Sequence, residues 1–201
     1  MPLLAGLTAQ EIQDAVRERY SQVATHPDAS YNFRVGRAFA EALGYPPDLL
    51  DQLPPSVWEP FTGVATPSLV ADVQPGETVV DLGCGAGLDL ILLSSKVGPQ
   101  GRAIGIDFAP GMVERSRQNL VLLHLTQTEV RQAAAEATGL PDGFADWVIA
   151  NGILNLSPDK GAVLAEVARI LRPGGHLLVA ETTLRIPLPD EAVKSIDDWF
   201  R

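Results

Sequence analysis

Residues 81–89 read DLGCGAGLD. Gly83, Gly85 and Gly87 occupy alternate positions, with the apolar runs TVV (78–80) before them and LILL (90–93) after. Glycine at this density is costly inside a regular element, because it surrenders more backbone freedom than any other residue on folding. The stretch therefore reads as a loop between a strand and a helix, at a place where something comes close to the backbone.

Working outward, ETVVDL (77–82) reads as the strand before the loop, and 85–96 as the loop and its helix. RAIGID (102–107) is a second strand. Pro110 suits a first helical turn, and Met112, Val113, Ser116 and Leu120 share one face of the helix it opens. TEVRQ (128–132) and ADWVIA (145–150) are further strands. Ser157 and Pro158 suit an N-cap and first-turn pair. The helix after them places Val163, Leu164, Val167, Ile170 and Leu171 on a core face. PGG (173–175) ends that helix, HLLVAET (176–182) reads as a buried strand, and a last helix covers about 189–200. Strands alternating with helices imply parallel pairing and right-handed crossovers. The expected fold class is α/β: a Rossmann-like, doubly wound parallel sheet, with ligands at the carboxyl ends of its strands.

Upstream of about residue 75 the pattern is helical and broken by prolines. Thr8 and Glu11 form a capping box, and Ile12, Val16, Tyr20 and Val23 recur at helical spacing over 9–24. Residues 36–43 and 46–53 read as two shorter helices. Residues 1–74 are expected to form an N-terminal helical cap within the same domain as the core at 75–201.

The formal charge of −10 argues against a nucleic-acid groove or an anionic membrane surface, since both require a basic face. No apolar run approaches the roughly 20 residues of a membrane helix, and the N-terminus lacks a basic segment like that of a signal peptide. One cysteine, Cys84, rules out a disulfide framework and fits a reducing compartment. The expectation is a cytoplasmic protein with no nucleic-acid or membrane partner and no metal site. His26, His124 and His176 are scattered and read as structural.

A dinucleotide loop G-x-G-x-x-G would place its last glycine where Leu88 stands. The pattern is instead acid-x-G-x-G-x-G, beginning at Asp81. An acid there would repel a pyrophosphate, so the spacing suits a ligand laid across the loop by an amino-acid portion. Asp107 ends the next strand, where a carboxylate can accept hydrogen bonds from a ribose diol.

VVDLGCGAG, GIDFAPGMVERSR, LPDGFADWVIAN and RILRPGGHLLVAE together resemble the class I S-adenosylmethionine-dependent methyltransferases over about 76–184. That resemblance implies S-adenosylmethionine as cofactor and a sheet of order 3-2-1-4-5. It also implies that Gly83 and Gly85 line the methionine portion, with Cys84 between them. Asp81 would orient that portion, Asp107 would hold the ribose, and Phe108 and Met112 would flank the adenine. Ala135 and Glu136 would lie beside the adenine ring, and Asn151 and Leu154 would face the methyl group. Tyr20 corresponds to a tyrosine that approaches the cofactor on the substrate side. Ala134 departs from the family, which often has a polar residue there. The fold of the family continues with an antiparallel strand pair that these residues lack. The strand at 176–182 is therefore expected at an edge, in a fragment of a longer protein or covered by a partner chain in a homo-oligomer.

ANGILNLSPDK, SKVGPQGRAIGID and LGYPPDLLDQLP with GVATP narrow the resemblance to the arsenite methyltransferase branch, which overlaps the ubiquinone and menaquinone C-methyltransferases. The arsenite enzymes bind trivalent arsenic through thiolates, one of them in the segment matching TGVATP (62–67), which here has no cysteine. Soft metalloids select sulfur ligands. The expected reaction is methyl transfer, by in-line displacement from the sulfonium, to a small-molecule acceptor other than arsenite. No residue pattern names a general base. The alternatives are an arsenite methyltransferase that uses external thiols and a cofactor-binding protein with reduced catalysis. A nicotinamide oxidoreductase is disfavoured by Leu88 and Asp81.

Overall fold

In a computed structural model, the structure describes residues 7–183, 185 and 195–197. The helix expected at 189–200 lies largely outside them. Five parallel strands form one sheet: β1 (Thr78–Leu82), β2 (Arg102–Asp107), β3 (Thr128–Gln132), β4 (Ala145–Asn151) and β5 (Leu171–Ala180). Their order is β3-β2-β1-β4-β5. The chain reverses direction of travel at β1, so the crevice for a ligand opens above β1, β2 and β4.

The sheet is covered on both faces, and adjacent residues of β1 show how. Val79 packs with Leu90, Leu93, Val97 and Ile149 on one face. Val80 packs with Ile104, Val148, Val163, Val167 and Ile170 on the other. Alternate side chains of a strand point to opposite faces, so every apolar residue of β1 enters a core. Much of those cores comes from α6 (Leu88–Val97), α7 (Pro110–Leu122) and α8 (Lys160–Ile170).

The remaining helices belong to the N-terminal region: α1 (Ala9–Thr25), α2 (Arg37–Leu43), α3 (Pro47–Leu50), α4 (Pro55–Trp58) and α5 (Pro67–Val70). The Thr8–Glu11 capping box is present at the start of α1. Ile12, Val16 and Val23 are buried, and α1 lies against α7. No helix among the described residues is long and apolar enough to cross a membrane.

Three local expectations are corrected. Asp159, not Ser157, caps α8: its carboxylate accepts the Ala162 amide at 2.9 Å. Ser157 instead donates to Glu136 Oε1 at 2.6 Å, so its hydroxyl serves the site. Leu164 is 44 % exposed, because α8 covers the sheet with a narrower stripe than its apolar pattern suggests. β5 begins at Leu171 and takes PGG into the strand, with a register shift between Ala145 and Trp147 of β4. None of its residues is fully buried and Leu177 is 39 % exposed, because an edge strand has a neighbour on one side.

Candidate functional site

The loop after β1 turns sharply over the end of β2. The Gly83 and Cys84 amides donate to the Ile106 carbonyl at 2.7 and 3.0 Å. Gly83 has φ +77°, and a Cβ there would stand 2.1 Å from Ile153 Cγ2. Part of the answer to the glycine density is thus internal: the loop after β4 packs where a side chain would be.

Beyond this loop lies a cavity of about 360 Å³. Tyr20, Thr62, Gly83, Asp107, Ala135 and Glu136 are on its wall, with Phe108 and Ala134 beside them. A smaller cavity of about 50 Å³ is bordered by Asp81, Cys84, Ala86 and Asp89. Thr62, Gly83 and Asn151 border both, so the two spaces meet there.

Asp107 is pinned at the mouth of the larger cavity. Its Oδ2 accepts the Gly85 amide and its Oδ1 the Ala109 amide, both at 2.9 Å. Burial pushes its carboxyl up to about 6, against the pull of these amides. Each oxygen retains a lone pair for a hydroxyl donor.

Asp81 is 2 % exposed and its Oδ2 has no hydrogen-bond partner among the described residues. Burial, then the charges of Asp89 and Asp107, hold its carboxyl well above the usual range. The Leu90 amide meets the carboxyl, but a buried carboxylate oxygen left unpartnered is costly unless a donor or cation meets it. The ammonium and sulfonium of S-adenosylmethionine are such cations, so the residues present fit that cofactor.

The other expected residues divide. Glu136 and Ala135 border the larger cavity, and Glu136 accepts from Ser157. Tyr20 stacks on Phe33, and burial followed by the Asp107 charge pushes its hydroxyl up, which keeps it a protonated donor at neutral pH. Burial likewise raises the Cys84 thiol, which disfavours the thiolate needed of a nucleophile or metal ligand. Met112 is a correction: it is 1 % exposed, packed with Val23, Ala24 and Ala109 behind the glycine loop, and borders neither cavity. Leu154 is another: it packs on the sheet core, while its neighbour Ile153 takes the cavity wall. Asn151 borders both cavities, yet its amide is committed to protein. Oδ1 accepts the Val64 and Ala65 amides at 2.8 and 3.2 Å. Nδ2 donates to the Ala65 carbonyl and to Asp89 Oδ2 at 3.0 and 2.9 Å.

Sequence reasoning missed Thr62 and Asp89. Asp89 ends the opening stretch, but an acid in a first helical turn reads as an ordinary complement to the helix dipole. Thr62 lies in a loop with no periodic signal.

Residues 74–201 match the family described as a methyltransferase domain. The chain belongs to the methyltransferase-domain family. The chain is 31 % identical over 203 residues to an arsenite methyltransferase of Halobacterium salinarum, an alignment covering 94 % of this chain and 52 % of that protein. It is 36 % identical to a demethylmenaquinone methyltransferase of Bacillus cereus over 57 % of this chain and 48 % of the relative. Among solved structures, it superposes on an arsenic(III) S-adenosylmethionine methyltransferase of Chlamydomonas reinhardtii with TM-score 0.61 and 28 % identity, covering 79 % of this chain and 53 % of that one. A SAM-dependent methyltransferase of Aquifex aeolicus superposes with TM-score 0.53 and 27 % identity, over 59 % of this chain and 65 % of that one. The chain spans about half the length of the curated relatives it matches. Its fold is the Rossmann-like one.

Proposed function

We propose that the protein transfers a methyl group from S-adenosylmethionine to a small-molecule acceptor. The observation that carries this reading is the arrangement of two acids around one junction. Asp107 stands at the larger cavity and the unpartnered Asp81 Oδ2 at the smaller, with Thr62, Gly83 and Asn151 between them. Asp107 would hold the ribose hydroxyls, Glu136 and Ala135 would border the adenine, and Asp81 would face the methionine portion. The reacting end then falls at the junction, under Tyr20 and Thr62.

When bound, the cofactor supplies an already activated methyl on a sulfonium. The chain's own task is to position and to exclude water. Tyr20 and Val16 of α1 roof the larger cavity, and the Tyr20 hydroxyl donates a hydrogen bond and does not accept a proton. With no evident base, the reading favours an acceptor that is nucleophilic without deprotonation in the site.

The relatives named for arsenite support the arsenite reading as the second one. Against it, the 201 residues contain one cysteine, and its thiol is 7 % exposed behind the glycine loop. A thiophilic centre needs several sulfur ligands, so under the arsenite reading thiols from outside these residues would supply them. We further propose a cytoplasmic protein whose residues 1–74 are a cap on the 75–201 core. The half-exposed edge of β5 supports association with a second copy, and the net charge of −10 supports a partner other than nucleic acid.

The test is calorimetry with S-adenosylhomocysteine, followed by methyl-group labelling across acceptor panels that include arsenite with a reductant. Binding plus turnover on a small-molecule acceptor other than arsenite is expected. Absence of binding would sink the reading, and multiple turnover on arsenite would replace the acceptor with the metalloid.

A further inference from the structure

Asp89 is a buried carboxylate to which the reaction assigns nothing. It is 6 % exposed, in the first turn of α6, where the helix dipole favours an anion. Its Oδ1 accepts from the Tyr45 hydroxyl at 2.6 Å and from the Ser68 hydroxyl. Its Oδ2 accepts from Asn151 Nδ2 at 2.9 Å. Both oxygens are thus engaged by protein donors from three separate segments: the turn after α2, α5 and the end of β4.

The Asn151 bond matters most, because the rest of that amide holds a loop. Asn151 grips both amides and one carbonyl of Val64 and Ala65. The fit is close: a Cβ on Gly63 would stand 2.5 Å from Asn151 Nδ2 and 2.7 Å from Phe61 Cζ. An amide side chain can rotate and exchange its oxygen and nitrogen. With the nitrogen turned away from Asp89, the oxygen would meet a carboxylate and the Val64 and Ala65 amides would lose their acceptor. The carboxylate permits one orientation, and that orientation is the one that holds the loop. Thr62, at the start of this loop, is on the wall shared by both cavities.

We propose that Asp89 is a positioning residue: acting through Asn151, it fixes the 62–65 loop and thereby the wall at which the two cavities meet. Cofactor affinity then depends on a carboxylate whose oxygens are both spent on the protein. The part concerning affinity rests on assigning the smaller cavity to the methionine portion; the part concerning the loop does not.

The experiment is amide hydrogen exchange on the whole chain, with calorimetry against S-adenosylhomocysteine, for wild type, Asp89→Asn, Asn151→Ala and the double variant. Exchange at Val64 and Ala65 is expected to accelerate at least tenfold in each single variant, while β1 and β4 keep their protection. The dissociation constant should rise at least tenfold. The double variant should be no worse than Asn151→Ala alone, because the two residues act in series; a merely structural pair of losses would add. Tyr45→Phe, which spares the Asn151 bond, should change loop exchange by less than threefold. Unchanged loop exchange in Asn151→Ala, or additive effects in the double variant, would overturn the proposal. The Asn151→Ala arm decides it even where Asp89→Asn does not fold. A wild type that fails to bind S-adenosylhomocysteine would defeat the cofactor assignment, and the exchange arm would still judge the loop.

Discussion

The sheet and the N-terminal region differ in what they add to the apolar burial they share. The five strands are joined by backbone ladders and buried on both faces by apolar side chains from α6, α7 and α8. The N-terminal region shares apolar clusters with them, Val57 and Phe61 with Val79 and Leu90, and Val23 with Met112, and adds side-chain hydrogen bonds in place of a ladder. Arg115 of α7 donates to the Ser56 carbonyl at 2.7 Å, to the Ala24 carbonyl and to Glu59. Asn119 donates to the Ser56 and Ala86 carbonyls at 3.3 and 2.9 Å. Asp89 and Asn151 add to these, as does Lys96, which donates to the Ala71 carbonyl at 2.6 Å. Apolar burial is non-directional and tolerant of small shifts. Hydrogen bonds to charged groups are directional and local. The site lies between the two regions, so its floor is held by ladders and burial and its roof by burial and side-chain hydrogen bonds.

The comparison predicts a ranking of losses. Leu82→Ala should cost the most, because Leu82 is wholly buried in β1 and such truncations remove about 2–5 kcal/mol. Denaturant unfolding should show a lower midpoint for the whole sheet. A loss under 1 kcal/mol would mean the sheet is not the cooperative unit.

Asp107→Ala should act on binding more than on fold. Each lost hydrogen bond to a carboxylate is worth about 1.5–3 kcal/mol, so affinity for S-adenosylhomocysteine should fall by tenfold or more in calorimetry. Unchanged affinity would remove Asp107 from the ribose role.

The same residue gives a pH signature. With its carboxyl raised to about 6, the folded protein favours the protonated form. Its contribution to stability is present below the ordinary carboxylate range near ~4 and is lost as pH rises through about 6. Ribose hydroxyls require the opposite form. Affinity should therefore be flat above about pH 6 and fall as pH drops through it, by up to roughly tenfold per unit. Measured without Asp107, that slope should vanish.

Arg115→Ala should loosen the roof and leave the floor. A loss of about 1–3 kcal/mol is expected, with faster hydrogen exchange at 24–60 and unchanged protection in β1 and β4. Equal loosening of the sheet would erase the distinction. The smallest effect belongs to the Arg17–Asp14 pair on α1, where both side chains are about half exposed. Replacing either should shift stability by less than about 1 kcal/mol, as for other exposed pairs, which a thermal melt can check.

The two regions also differed in how far they could be read in advance. All five strands and the helices between them follow from periodicity. A parallel sheet buried on both faces imposes short apolar runs, as in Val79–Val80 and Val148–Ala150. Asp81, Gly83, Asp107 and Glu136 were legible because strand ends and glycine turns fix where side chains can converge. Met112 misled, because helix spacing gives the face a residue occupies and not which side of the loop that face meets. Ser157 misled in the same way: it has the chemistry of an N-cap, and a neighbouring glutamate claimed its hydroxyl.

Sequence alone determined the α/β class, the order of elements along the chain and the carboxylates at the ends of β1 and β2. These depend on local periods and on turn chemistry, which short stretches carry in full. Tertiary structure alone decided that Ile153 fills the space left by Gly83, that Asp89 meets Tyr45, Ser68 and Asn151, and that Thr62 lies where two cavities join. The three Asp89 contacts alone link residues from 21 to 62 positions apart. No local preference encodes them, because their energy is gained only after the sheet has brought the segments within hydrogen-bonding distance.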